Sequence, residues 1–320
     1  MFRRWLNHAT VRVTISPRGP ILIKSGQETA DPTRPGMEFV RTRHAVHGDS
    51  IYLPGTSLKG AMRSQAERVL RGLAIEICDP FDGRSGCRRG PRQQGGQGQR
   101  GGVHRQQPTS AEIFSAQCPA CRTFGSLSVA GRCNVEDAYP WNGQNGAGAG
   151  AANATETRWQ VGIDRLTGQA QRGALFDLEV AVAGTFHTTI HLENFQLWQL
   201  GLIGALLEDM DRGDLPIGFG KTRGLGQVGV AVERIDVETL GRDGRALLGA
   251  AALCPQAEAR SYDLAPDDEM ELPSGVEAAT TWRGRKTALE GEEARSLFAA
   301  AMDGPLQRLV AARSAPGSRR

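Results

Sequence analysis

The 320-residue chain contains no uninterrupted apolar run of about 18 residues, so no membrane-spanning helix is expected. Its N-terminus, MFRRWLNHATVRV, is basic but has neither an apolar core nor a small-residue cleavage site, which argues against a signal peptide. The chain therefore reads as cytoplasmic. It also lacks a charge excess. A net charge of +3 excludes a uniformly basic nucleic-acid binder, and any basic surface has to be local. Two nucleotide signatures fail as well. In Pro216–Gly226, PIGFGKTRGLG, the phosphate-loop pattern would need glycine five residues before Gly220, and position 215 is Leu. The dinucleotide pattern would need G-x-G-x-x-G after a strand, whereas Gly218, Gly220 and Gly224 are spaced G-x-G-x-x-x-G after a helix.

Ile51–Arg63, IYLPGTSLKGAMR, reads as a short strand, a Pro-Gly turn, a Thr56 or Ser57 cap and a helix from Leu58 to about Leu73. Leu58, Met62, Ala66 and Val69 recur at helical spacing, while Lys59, Arg63 and Arg68 lie off that stripe. Free amides at a helix start beside cations suit a phosphate backbone. Before this helix, TVRVTI (10–15) alternates as a first strand, continued by Ile21–Ile23 after an interruption or bulge.

Six cysteines stand at 78, 87, 118, 121, 133 and 254, and clustering in a cytoplasmic chain favours metal over disulfides. Cys78, Cys87, Cys118 and Cys121 supply the four soft ligands of a structural Zn²⁺ site, with His104 able to replace Cys87. No thioredoxin-like frame surrounds the Cys-x-x-Cys, and four thiolates leave no open position for catalysis. Cys133 reads as a packed residue. Between the two halves of the site, residues 84–105 carry six arginines and no acid, a low-complexity segment suited to phosphate contact.

Further on, Leu127–Val135 reads as a strand. Leu175–Ala183 and Phe186–Leu192 alternate as two strands of a hairpin around Gly184. Asn194 caps a helix bearing Phe195, Trp198, Leu202, Leu206 and Met210 on one face, and Gln227–Val232 closes the sheet. Beyond Thr239 the pattern loosens. Leu253-Cys-Pro and Asp267-Asp268-Glu269 read as surface, and 292–312 shows a helical apolar stripe that could dock on the sheet or on a neighbouring subunit.

PGTSLKGAMR, the C-x-x-C-x-x-F-G block at Cys118–Gly125, VGIDRLTGQA (161–170) and the glycine-rich loop together resemble the RAMP proteins of CRISPR systems. Among these, the chain is most similar to the backbone subunits of type III effector complexes, with the resemblance covering most of 21–237. It implies an α+β, ferredoxin-like or RRM-like βαββαβ core with a zinc-stapled insertion and a thumb-like hairpin. The implied boundaries are 1–75 for the first half of the core and 76–125 for the zinc insertion. The second half spans 126–238, with the thumb at about 139–173 and the glycine loop at 216–226, and 239–320 forms an extension.

By the same resemblance, guide RNA (crRNA) would contact Ser57, Lys59, Arg63, Arg158, Trp159, Arg165, Gly218, Gly220, Lys221, Arg223 and Gly224. Arg172 can also meet phosphate, and Asp164 is expected to pair with an arginine. The loop after the first strand would carry the aspartate that cleaves target RNA, and Asp31, in Ala-Asp-Pro-Thr, corresponds best. A carboxylate in a rigid Asp-Pro turn can help hold Mg²⁺ or a similar ion beside a scissile phosphate, and Glu28 and Asp49 compete for the role. Further copies of the chain and other CRISPR effector subunits are the implied protein partners. Two alternatives stand beside this reading: a non-catalytic guide-RNA scaffold, and a metal-independent ribonuclease that processes guide precursors through His44 or His47.

Overall fold

A computed structural model describes residues 3–26, 35–45, 48–82, 87, 107–140, 155–241, 246–273, 276 and 278–314. The first strand, β1 (Asn7–Pro17), alternates in burial: Ala9, Val11, Val13 and Ile15 face the core, and the residues between them face outward. Short strands β2 (Arg41–His44) and β3 (Gly48–Ile51) pair with each other, and α1 spans Gly55–Gly72. Next come the short helices α2 (Ser110–Ser115) and α3 (Pro119–Phe124), then β4 (Cys133–Val135). A hairpin, β5 (Thr155–Ile163) and β6 (Ala170–Ala181), precedes β7 (Phe186–Glu193), α4 (Leu197–Arg212) and β8 (Val228–Leu240).

Four of these strands form the antiparallel order β8-β1-β7-β4, with Val11 opposite both Ile190 and Ile235. With α1 following β1 and α4 following β7, this is the ferredoxin-like βαββαβ core that the sequence predicts. β1 carries a bulge between Arg12 and Val13, away from the break at 17–20 where the sequence predicts an interruption. Ile21 leaves the sheet to bridge Ala181.

The remaining chain adds β9 (Ala246–Leu248), α5 (Gln256–Ser261), β10 (Glu269–Glu271), β11 (Ala278–Thr280), β12 (Gly284–Glu290), α6 (Gly291–Ala301) and α7 (Gln307–Ser314). β12 pairs with β8 and β11 with β12, extending the sheet to six strands. α6 packs on α4 closely enough that a Cβ on Gly201 would lie 2.4 Å from the Ala301 carbonyl oxygen, and one on Gly204 2.6 Å from Phe298. α4 is therefore buried on both sides, which is why its sequence is apolar nearly all round. Among the described residues no helix is long and apolar enough to cross a membrane.

Several local expectations are corrected. α1 begins at Gly55 after Pro54, so Thr56 and Ser57 lie inside the first turn and neither side chain caps it. Val69 is exposed and Leu70 takes the inward position. β6 pairs with β5, not with β7, because the turn at 182–185, with Gly184 at φ +106°, carries the chain to a different sheet. Only Cys133–Val135 of 127–135 is strand. Gln196, not Asn194, begins α4; Asn194 instead accepts from the Leu6 amide at 2.6 Å. Asp268 and Cys254 are buried, not surface.

Candidate functional site

The PGTSLKGAMR motif owes its Pro-Gly step to packing. A Cβ on Gly55 would sit 2.1 Å from the Val135 carbonyl oxygen, and the Gly55 amide donates to Asp137 Oδ1 at 2.7 Å. A carboxylate of the chain itself thus already meets the positive end of α1. Ser57 is exposed and Lys59 half-buried. Burial pushes the Cys133 thiol up to about 12, with Lys59 opposing the shift. Arg63 is held in three directions, by Glu67 at 2.8 Å, by the Gly125 carbonyl at 2.8 Å and by Cys121 Sγ at 3.4 Å.

Cys78, Cys87, Cys118 and Cys121 place their Sγ atoms within 4.8 Å of one another. Cys78 Sγ lies 3.4 Å from Cys121 Sγ and 3.7 Å from Cys118 Sγ. Tetrahedral Zn²⁺ with bonds of about 2.3 Å needs S–S edges of about 3.8 Å, so the cluster fits such an ion. Cys118 begins α3, and its amide donates to Cys87 Sγ at 3.1 Å. Neighbouring thiols hold Cys118 well below the ordinary thiol range and push Cys78 and Cys121 up. Amide and guanidinium donors on the sulfurs are the outer shell expected of a structural metal site. Cys133 and Cys254 stand outside the cluster.

The β5–β6 hairpin overlaps the thumb expected at about 139–173 only in part: 141–154 lie outside the described residues, and the returning strand runs on to Ala181. Trp159, Val161 and Ile163 share one face of β5, Leu175 lies opposite Val161, and Leu166 marks the tip. These side chains are exposed, Trp159 by 66% and Leu166 by 95%. An apolar face of this kind on a projecting hairpin suits stacking against nucleobases. Arg165 and Arg172 are exposed, and Arg158 pairs with Glu156. Asp164 pairs with no arginine among the described contacts; its carboxylate accepts from the Leu166 and Thr167 amides and closes the turn.

The glycine-rich loop packs against the other face of this hairpin. Arg223 stacks over Phe176 at 5.2 Å and Phe219 at 5.7 Å and reaches Gln160 at 3.4 Å. Gly218 and Gly226 have positive φ, and a Cβ on either would strike the backbone at Leu22 or Ile217. Their close approach is therefore to the chain itself. Gly220 would strike the Leu225 side chain, whereas Gly224 faces open space beside the exposed Lys221 and Arg223.

The loop bearing Asp31 leaves from the same place. Its arms are tied by Ser25 N to Glu38 O and by Val40 N to Ile23 O, each 2.9 Å, while Phe219 N donates to Leu22 O at 2.7 Å. Asp31 itself, Glu28, His47 and the arginines of 84–105 lie outside the described residues. Asp49 sits on β3 opposite Arg43.

A comparison with protein-family models matches residues 14–229 to the RAMP superfamily, more than half of the chain. The chain belongs to the RAMP superfamily. That places it among CRISPR-associated RNA-binding proteins, which work in complexes, and its ferredoxin-like core is the fold of the superfamily. A search among curated proteins finds no match. The matched span ends at the start of β8, so the added strands and α6 lie beyond it.

Sequence reasoning passed over Tyr52 and Tyr139, which stack at 5.9 Å beside the start of α1, with His44 against Tyr139 at 5.4 Å. Tyr52 sits inside the IYLPGT string, and the chain has only three tyrosines, a signal that was available. Phe176 and Phe219 gave no such signal, because only the meeting of hairpin and loop makes them a platform.

Proposed function

We propose that this RAMP protein is a backbone subunit of a type III CRISPR effector complex that holds guide RNA and cuts complementary target RNA with Asp31. The observation that supports it most is convergence: the stem of the Asp31 loop, the glycine-rich loop and the base of the thumb pack on one another. A strand of RNA lying across this junction would meet Lys221 and Arg223 with its phosphates, while Trp159 offers its ring to bases on the opposite face of the hairpin.

A Mg²⁺ ion would supply charge neutralisation at the scissile phosphate. Among the described residues the four cysteines form the only group of three or more metal ligands, and the carboxylates at the stem, Glu38, Asp177 and Glu179, are already engaged. The ion would therefore rest on Asp31 and on the RNA's own oxygens. Asp31 would orient the 2′-hydroxyl or stabilise developing charge. Base pairing between guide and target supplies the sequence specificity, which leaves the protein to read shape and backbone.

The test is cleavage of complementary RNA by the purified guide complex, wild type against Asp31→Ala. Both proteins are assayed with magnesium, and in a separate arm magnesium is withheld rather than chelated, since a chelator would also attack the cysteine site. Loss of cutting with guide binding intact is expected. Unchanged cutting by the variant would remove Asp31 from the role, and no cutting by either protein would favour the scaffold.

A further inference from the structure

Glu179 accepts from three residues on two separate segments at once. Arg41 donates to it bidentately, Nη1 to Oε2 at 2.7 Å and Nη2 to Oε1 at 2.5 Å. The Phe39 amide donates to Oε2 at 2.9 Å and Thr155 Oγ1 to Oε1 at 2.6 Å. Thr155 belongs to the outgoing thumb strand, Glu179 to the returning one, and Phe39 and Arg41 to the arm by which the Asp31 loop rejoins the core. Glu179 is only 7% exposed. Burial alone would raise its carboxyl, but the bonds from Arg41, Thr155 and Phe39 outweigh it and bring the group to about 2.

The same arm is fastened to β6 at neighbouring points. Asp177 Oδ1 accepts from the Gly36 amide at 2.9 Å, the Glu179 amide donates to Met37 O at 2.9 Å, and Met37 bridges Leu178 in parallel. Glu179 stands where the hairpin changes character. Beyond it toward the tip Leu175 is 61% exposed, and below it Val180 and Ala181 are fully buried. It therefore sits at the fulcrum of the hairpin, tied to the loop stem by a charged contact whose acceptor is buried while the Arg41 side chain is 44% exposed, a contact stronger than a neutral hydrogen bond.

We infer that Glu179 is a positioning residue that locks the thumb to the stem of the Asp31 loop, so that RNA is cut at a fixed offset from the place where the thumb meets it. This rests on the reading of Asp31 as the cutting residue. A hairpin hinged freely at its base would let the two points drift apart by a nucleotide or more. With the lock in place the thumb and the stem of the loop move as one body.

The experiment has two readouts on wild type, Glu179→Gln and Asp177→Asn. The first is amide exchange of 36–41 in the protein, which needs no RNA. Losing the charged bonds of Glu179 should speed exchange at Phe39 by about tenfold to a hundredfold, with β1 unchanged, and Asp177→Asn should do so at Gly36. The second is the map of cut positions in the guide complex, which a purely structural residue would not alter. Glu179→Gln is expected to spread cutting over adjacent nucleotides, whereas Asp31→Ala abolishes it. Unchanged exchange at 36–41, or the same sharp positions in Glu179→Gln, overturns the lock while leaving Asp31 in place. Unchanged cutting by Asp31→Ala overturns the function on which the lock depends. If Glu179→Gln does not fold, Asp177→Asn carries both readouts, with the same two results overturning the lock.

Discussion

Stripping metal from the four-cysteine site will loosen the C-terminal segment before it loosens the sheet. α3 has six residues, too few to stay helical without tertiary support, and it carries both Cys121 and Arg122. Arg122 is 4% exposed. It donates to Gln117 O at 2.9 Å, Ser115 O at 2.8 Å, Asp263 O at 2.7 Å and Asp263 Oδ2 at 2.7 Å. Arg313 of α7 shares that carboxylate at 2.6 Å. A separate small core of Leu6, Phe114, Val129, Ala250, Cys254, Tyr262 and Leu264 depends on the same alignment. Breaking a buried charge pair costs about 3–5 kcal/mol. The Asp263 side chain is 52% exposed, so solvent returns part of this and about 2 kcal/mol remains. That corresponds to roughly a 30-fold rise in local opening. Hydrogen exchange followed by mass spectrometry, before and after a zinc chelator and again after zinc is restored, should show this rise in 250–264 and 307–314, with β1 and β7 unaffected. Loosening confined to 107–125 would refute the linkage, and so would failure to recover with zinc.

Burial raises the Asp268 carboxyl to about 6, against the amides of Leu197 and Ala251 that it accepts at 2.8 and 2.9 Å. The folded protein then binds this proton more tightly than the unfolded chain, whose Asp titrates near 3.9. Stability should therefore fall by about 3 kcal/mol as pH rises from about 4 through about 6; urea midpoints in which Asp268→Asn keeps the full pH slope would dismiss this. Gly55→Ala should cost about 2 kcal/mol from its clash with Val135. Gly60→Ala, with nothing within 4 Å, should gain about 0.5–1 kcal/mol, and thermal melts that rank the two alike would contradict the packing argument. Arg223→Ala should weaken RNA binding across sequences and flatten the salt slope by about 0.7 if one single-strand phosphate contact is lost, and an unchanged slope would remove Arg223 from the interface.

The features legible in the sequence are those set by neighbours along the chain. β1 could be read because its alternation between Ala9 and Ile15 is itself the division between core and outer face. The cysteine site could be read because Cys118 and Cys121 fall at the spacing a knuckle needs. The hairpin limits were less accessible, since whether β6 joins β5 or β7 depends on which partner the turn at Gly184 presents. The acidic run at Asp267–Glu269 looked like surface because nothing local reveals that Asp268 meets the first amide of α4.

Periodicity, spacing and motif thus determined by themselves the ferredoxin-like order, the four thiol ligands and the RAMP kinship, all carried by contacts short in sequence or by strings of residues. Only the tertiary structure decided that the last eighty residues complete the sheet and cover α4. It also decided that Arg63 and Arg122 brace the metal site, and that Glu179 joins the thumb to the loop stem. Each of these depends on groups tens to hundreds of residues apart, and burial, which gives such contacts their strength, exists only once the chain has closed around them.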